Sequence, residues 1–274
     1  MFGERLGVRL TKSDPGEGLP LVASLCHELA WDLLDEGLLS DAEALVREEL
    51  VAVRFLATYD PETFLPNVAD ACENLAGILW EGGHPEEAEP LLREALSLRR
   101  ALAGQDPTED LLSEVASSCV NLAFFLEDLG RLKEAEPLLR EALECYRSLR
   151  GGHTLGWAAM VARTGSVLAR VLECAGRLKE AEPLLREALE CYRTLAASDP
   201  DEDGLPALIP EAGPPMGVLA TILAEEGRAK EAEELFREGL SMYAILAQAH
   251  PEREDFRLGE EAFRESLAQL SAGV

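Results

Sequence analysis

At 274 residues and 47% hydrophobic content, the chain can bury a sizeable core, either as one long domain or as two smaller ones. Its aromatic content is only 5%, and Ala, Leu, Glu and Arg fill most positions with few β-branched residues, which favours helix and argues against a large sheet. Fifty-two acidic residues against 25 basic ones give a net charge of −27, a surface that repels phosphate backbones and anionic membranes. Such a charge serves solubility in any case; the sharper expectation is a partner of basic character.

The first 20 residues, MFGERLGVRLTKSDPGEGLP, have no apolar stretch of the kind a secretory signal needs and read as a flexible leader. From there on the chain repeats itself. GRLKEAEPLLREALECYR occurs at 130–147 and again, unchanged, at 176–193. Diverged copies begin at Gly83, Gly227 and Gly37, so the leading glycines Gly37, Gly83, Gly130, Gly176 and Gly227 recur at a near-constant period.

Each copy has two apolar stripes. Before the glycine stand Leu29, Leu75, Leu122, Leu168 and Leu219, each followed by Ala (Ala30, Ala76, Ala123, Ala169, Ala220) and then by a second Leu at i+4: Leu33, Leu79, Leu126, Leu172 and Leu223. After it come Ala42, Ala88, Ala135, Ala181 and Ala232, with further apolar residues at i+4 and i+8. Each copy therefore predicts helix A, a turn that uses the φ > 0 conformation open to glycine, and helix B. Pro90, Pro137 and Pro183, near the start of helix B, read as structural. Five hairpins are expected, at about 21–60, 61–107, 108–153, 154–200 and 206–250. The segments DPETFLP, DPTEDLL and DPDEDGLPALIPEAGPP read as links between them, and 254–274 as a solitary capping helix with its tail, in which Leu267 and Ala268 take the Leu-Ala place.

The pattern Leu-Ala-x-x-Leu-x-x-x-Gly-x-x-x-x-Ala-x-x-x-Leu resembles the tetratricopeptide repeat over about residues 21–270. EAEPLLREAL, with Asn-Leu-Ala upstream at Asn74 and Asn121, is most similar to the long-period repeats of kinesin light chains and their bacterial relatives. The resemblance implies an all-α solenoid, a right-handed superhelix of five helical hairpins closed by the terminal helix. There are departures. Cys26, Cys72, Cys119, Gly165 and Met216 stand where the family usually has an aromatic early in helix A, and the usual Pro at the end of helix B is missing.

The resemblance further implies that helix A lines a concave groove, in which His27, Trp31, Asn74, Trp80, Asn121, Phe124, Arg163 and Arg170 are the candidate binding residues. Asn74 and Asn121 match the family's backbone-clamping asparagines, and an Asn amide both donates and accepts. Arg163 and Arg170 suit a ligand carboxylate, whereas Glu73, Glu127 and Asp128 suit a basic side chain, so the ligand's charge stays open.

No nucleotide-binding, nucleophile-elbow or zinc-protease motif is present, and the Glu residues beside Arg and Lys read as a solvated face of ion pairs. The cysteines form no CxxC pair, and Cys26, Cys72 and Cys119, like Cys145 and Cys191, recur at equivalent repeat places, which predicts packing thiols with no metal and no disulfide. The expected protein is a cytoplasmic, non-catalytic scaffold or adaptor, without cofactor, that holds a protein or peptide; a monomer is expected. The alternative is a self-assembling structural subunit or a regulatory sensor.

Overall fold

The computed structural model describes residues 15–149, 155–197 and 205–273, and among them every regular element is an α-helix. They group into two compact bodies, one ending at Gly130 and the other beginning at Arg131. The expected leader lies mostly outside the described residues, as do parts of the links around 150–154 and 198–204.

The first body contains α1 (Pro15–Asp35), α2 (Leu39–Ala57), α3 (Pro61–Glu81), α4 (Pro85–Gln105) and α5 (Glu109–Asp128), each packed on the next. α1 therefore starts inside the segment expected to be leader. Gly37 and Gly83 carry the turns within hairpins at φ +76° and +79°. The residue after each glycine donates its N–H to the carbonyl of the second Leu of the stripe (Leu38 to Leu33, His84 to Leu79, both 2.8 Å), which satisfies the orphaned helix end.

DPETFLP is not a spacer. Asp60 caps α3 by accepting from the Thr63 N–H at 3.2 Å, and Pro61 occupies the first turn, where its missing donor costs nothing. Thr108 caps α5 in the same way, accepting from the Leu111 N–H. The long period is thus spent on longer helices: Asp60-Pro61 starts α3, while Asp106 ends α4 and Pro107 lies between α4 and the Thr108 cap of α5.

Most stripe residues form the core, and the departures fall in the first and last hairpins, where Leu33 and Leu240 are half-buried. Leu75 and Leu122 are buried, but Leu29 is 50% exposed. No described helix precedes α1, so its outer face lacks the neighbour that covers the equivalent leucines.

The second body contains α6 (Leu132–Ser148), α7 (Leu155–Cys174), α8 (Leu178–Ala197), α9 (Leu205–Glu225), α10 (Ala229–Ala249) and α11 (Glu254–Ala272). Gly176 and Gly227 turn as Gly37 does. The proline-rich stretch expected as the last link is largely helical, since α9 runs through Pro210, Pro214 and Pro215. Pro214 has no N–H for the carbonyl of Pro210 one turn back, and the Tyr243 hydroxyl donates to that oxygen instead, at 3.2 Å.

The terminal helix packs on α10 and α9. Its anchors are Phe256 and Phe263, both buried, while Leu267 is only partly covered and Ala268 is exposed.

Arginines at two places seven residues apart on helix B bridge successive B helices by one rule. Arg47 reaches Glu87 and Arg54 reaches Glu94 in the first body; Arg140 reaches Glu180, Arg147 Glu187, Arg186 Glu231 and Arg193 Glu238 in the second. These exposed pairs fix register more than they add stability.

All six cysteines are free thiols. Cys72 and Cys119 are fully buried, and burial pushes the Cys72 thiol up to about 11. Thiol titration of the native protein with a disulfide reagent is expected to modify the exposed Cys174 first and to spare Cys72 and Cys119 until denaturant is added. Fast native modification of Cys72 would contradict this packing.

Candidate functional site

The A helices of the first body meet in two pockets. The one between α3 and α5, about 320 Å³, is floored by Leu92 of α4. Trp80, Phe124 and Phe125 supply its aromatic wall, with Trp80 packed edge-on against Phe125 at 4.9 Å. Glu73, Asn121 and Asp128 supply its polar groups. That size and lining, apolar walls with a few fixed polar groups, are those of a small binding pocket.

A buried charge holds this pocket in shape. Arg99 of α4 lies on the core stripe of its helix and is almost fully covered. It donates to Asp70 and to Glu73 on α3, and to the Ser118 hydroxyl on α5 at 2.9 Å. Ser118 in turn donates to Glu73 at 2.6 Å, and Asn121 donates its amide to the other Glu73 oxygen at 3.3 Å. Three helices are thereby tied through one guanidinium, and Asn121 is held at the pocket by Glu73.

The second pocket, about 460 Å³, lies between α1 and α3 above α2. Ser24 and His27 come from α1, Glu49 and Val53 from α2, and Thr63, Asn67 and Asp70 from α3. Trp31 donates its indole N–H to His27 Nε2 at 3.1 Å, which leaves the Nδ1–H to donate to Glu49 Oε1 at 3.2 Å. The other Glu49 oxygen is buried with no partner among the described residues. Burial pushes the Glu49 carboxyl up, and the nearby His27 only partly offsets it.

A carboxyl raised in the folded state binds its proton more tightly there than in the unfolded chain. Its favourable contribution is therefore present below the ordinary carboxylate range and is lost as pH rises through the raised folded value. Glu49→Gln is accordingly expected to raise the melting temperature at neutral pH, with the gain shrinking as the pH is lowered. A variant less stable than the parent at neutral pH would show that the His27 pair outweighs the burial cost.

Of the eight residues singled out by sequence, Trp80, Asn121 and Phe124 share the first pocket, while His27 lines the second with Trp31 beside it. Asn74 is half-buried and lines neither pocket, and its side-chain amide has no hydrogen bond among the described residues. Arg163 and Arg170 lie on α7 in the second body. Arg163 faces Glu211 of α9 at 4.0 Å, and Arg170 is exposed.

Sequence reasoning missed Arg99 and Glu49. Both signals were available. Sixteen residues after the turn glycine the repeats carry Val53, Arg99, Tyr146, Tyr192 and Tyr243; twelve after it they carry Glu49, Ala95, Ala142, Ala188 and Gly239. In each set one residue of a charged type, Arg99 or Glu49, replaces an apolar, aromatic or small one on a buried stripe.

Among the described residues no group of three His, Cys, Asp or Glu side chains could hold a metal, and no helix is long and apolar enough to cross a membrane.

Within each body, the helices and their glycine turns define helical hairpins packed one on the next. Tetratricopeptide-repeat models match residues 114–194, and residues 68–109 with 216–252, together more than half of the chain. The chain belongs to the tetratricopeptide-repeat proteins. Among curated proteins, none matches it by sequence.

Several solved structures share the fold. One is a Podosopora anserina protein assigned as a kinesin light chain with nearly identical TPR-like repeats, at 19% identity and TM-score 0.57, covering 83% of this chain and 97% of that one. Another is BtubC (BKLC) from P. vanneervenii, at 19% identity and TM-score 0.54, covering 86% and 91%. A third is the apo form of RapI, at 15% identity and TM-score 0.54, covering 96% and 89%.

Proposed function

We propose that the chain is a non-catalytic scaffold that holds a segment of another protein along the face formed by α1, α3 and α5. Tetratricopeptide-repeat proteins serve in general as protein-interaction scaffolds. The observation that carries the reading here is the pocket of Trp80, Asn121 and Phe124, where an apolar anchor residue finds an aromatic wall beside an amide already fixed by Glu73. Asn74 and Asn121 remain the proposed backbone clamp. Arg163 and Arg170 remain proposed binding residues of the second body, with Glu211 reducing the positive character of Arg163.

Phe124→Ala with Asn121→Ala is expected to weaken partner binding by about tenfold or more, as loss of an interface anchor does, while the helical circular-dichroism signal stays unchanged. Arg140→Ala on helix B should leave binding as it was. Calorimetry with a purified partner gives both values. Equal affinity for the double variant and the parent would remove this face from consideration.

A second reading, self-assembly, is favoured by one observation. Leu21, Leu25 and Leu29 form an exposed stripe along α1, at 62, 46 and 50% exposure. Sedimentation of the parent and of Leu25→Glu separates the two readings: an oligomer in the parent that the variant dissociates favours assembly.

A further inference from the structure

We propose that the pocket over Glu49 receives the cationic side chain of a lysine or arginine in the bound segment, so that the partner is a basic peptide region. The inference rests on the docking face proposed above and specifies its chemistry.

Three observations carry it. The first is Glu49 itself. The other repeats place Ala95, Ala142, Ala188 and Gly239 at its position, so packing does not ask for a carboxylate there. Glu49 is nevertheless only 6% exposed, with one oxygen held by His27 and the other buried and unpartnered. An unmatched buried carboxylate is costly. A cation entering the pocket that Glu49 lines would bring the missing donor.

The second observation is the rest of the pocket wall. Ser24, Thr63, Asn67 and Asp70 surround the opening with further acceptors, and Thr63, Asn67 and Asp70 are exposed. The pocket is roomy enough for an extended basic side chain, whose methylene stem would pass Val53.

The third is the charge of the whole face. α1, α3 and α5 contain no lysine or arginine, yet each carries several acidic residues. The arginines of the first body's helices all sit on α2 and α4, where Arg47 and Arg54 are engaged in the ladder between B helices and Arg99 is buried in its own network. A segment lying along α1, α3 and α5 meets a field of one sign, which draws basic ligands and rejects acidic ones.

The test uses the full-length, dye-labelled chain on a peptide array in three matched sets, identical except for Lys or Arg, Gln, or Glu at the varied positions. The Lys/Arg set is expected to bind. Glu49→Gln is expected to weaken that binding by about tenfold or more, the scale for losing one partner of a buried charge pair. Asn67→Arg, on the exposed rim and clear of the core, should weaken it as much, which keeps the test valid if Glu49→Gln alters the fold.

Binding of all three sets alike, binding of none, or a Lys/Arg preference that survives both variants would overturn the proposal. If the Gln or Glu set binds and Phe124→Ala weakens it, the cation site falls and the docking face stands. If binding is indifferent to Phe124→Ala with Asn121→Ala as well, the docking face falls too. Binding that appears only after Arg5→Gln, Arg9→Gln and Lys12→Gln would assign the pocket to the chain's own first residues and overturn the partner assignment.

Discussion

Arg99→Ala is expected to destabilise the protein by about 3 kcal/mol, the lower end of the range for breaking a buried ion pair. The guanidinium is the common partner of Asp70, Glu73 and Ser118, and without it Glu73 keeps only the donors of Ser118 and Asn121. Asp70 is 56% exposed and can be rehydrated, which places the loss toward the low end. Arg99 also leaves its own Nε buried without a partner, so the network is not an optimum for stability.

The other repeats show an alternative. Tyr192 occupies the Arg99 place in the fourth repeat and is buried there, while Ser166, whose hydroxyl donates to the Ala162 carbonyl, occupies the Glu73 place, so neither position needs a charge. Arg99→Tyr combined with Glu73→Ser should therefore recover part of what Arg99→Ala loses. Urea denaturation followed by circular dichroism measures both variants. A loss under about 1 kcal/mol for Arg99→Ala would class the network with ordinary surface pairs.

The second large effect lies in the terminal helix. Phe263→Ala is expected to cost about 3–5 kcal/mol, as for other buried phenylalanines. The ring sits where the B helix of the last hairpin carries Gly239 in place of the alanine of the three preceding repeats. A Cβ built on Gly239 would meet the Phe263 ring at 2.3 Å. Gly239→Ala alone should therefore destabilise through overpacking. Phe263→Leu added to Gly239→Ala should do better than Gly239→Ala alone, because the smaller side chain makes room. Full independence of the two changes would contradict the packing of α11 on α10.

The fold was legible because the repeat states the same thing five times. Leu-Ala, turn glycine and the second alanine recur together, and the turn glycines that the structure places at positive φ were visible as the fixed points of the period. Helix starts were harder to see. Asp60-Pro61 reads equally as a helix stop and as an N-cap with a first-turn proline, and only the Thr63 N–H bonded to Asp60 decides between them. Helix α9 was harder still, since its three prolines argue for a link. Compensation comes from Tyr243, far away in sequence.

The candidate site was legible in part. The aromatic residues Trp80 and Phe124 stand out by type, and their meeting with Asn121 follows from the repeat register. Arg99 and Glu49 hid among many surface charges of identical type. Their burial shows only when each is compared with the residue at its place in the other repeats, a comparison of columns that a scan for motifs does not make.

The central claim is that partners dock on the face of α1, α3 and α5. Site-specific photo-crosslinking tests it most directly, with the probe placed in turn at position 67, at position 124 and, on helix B, at position 93, in full-length chain exposed to native extract. The account predicts a shared adduct from positions 67 and 124 that is absent from position 93 and is suppressed by excess Lys/Arg peptide. An adduct from position 93 with none from the other two would contradict it.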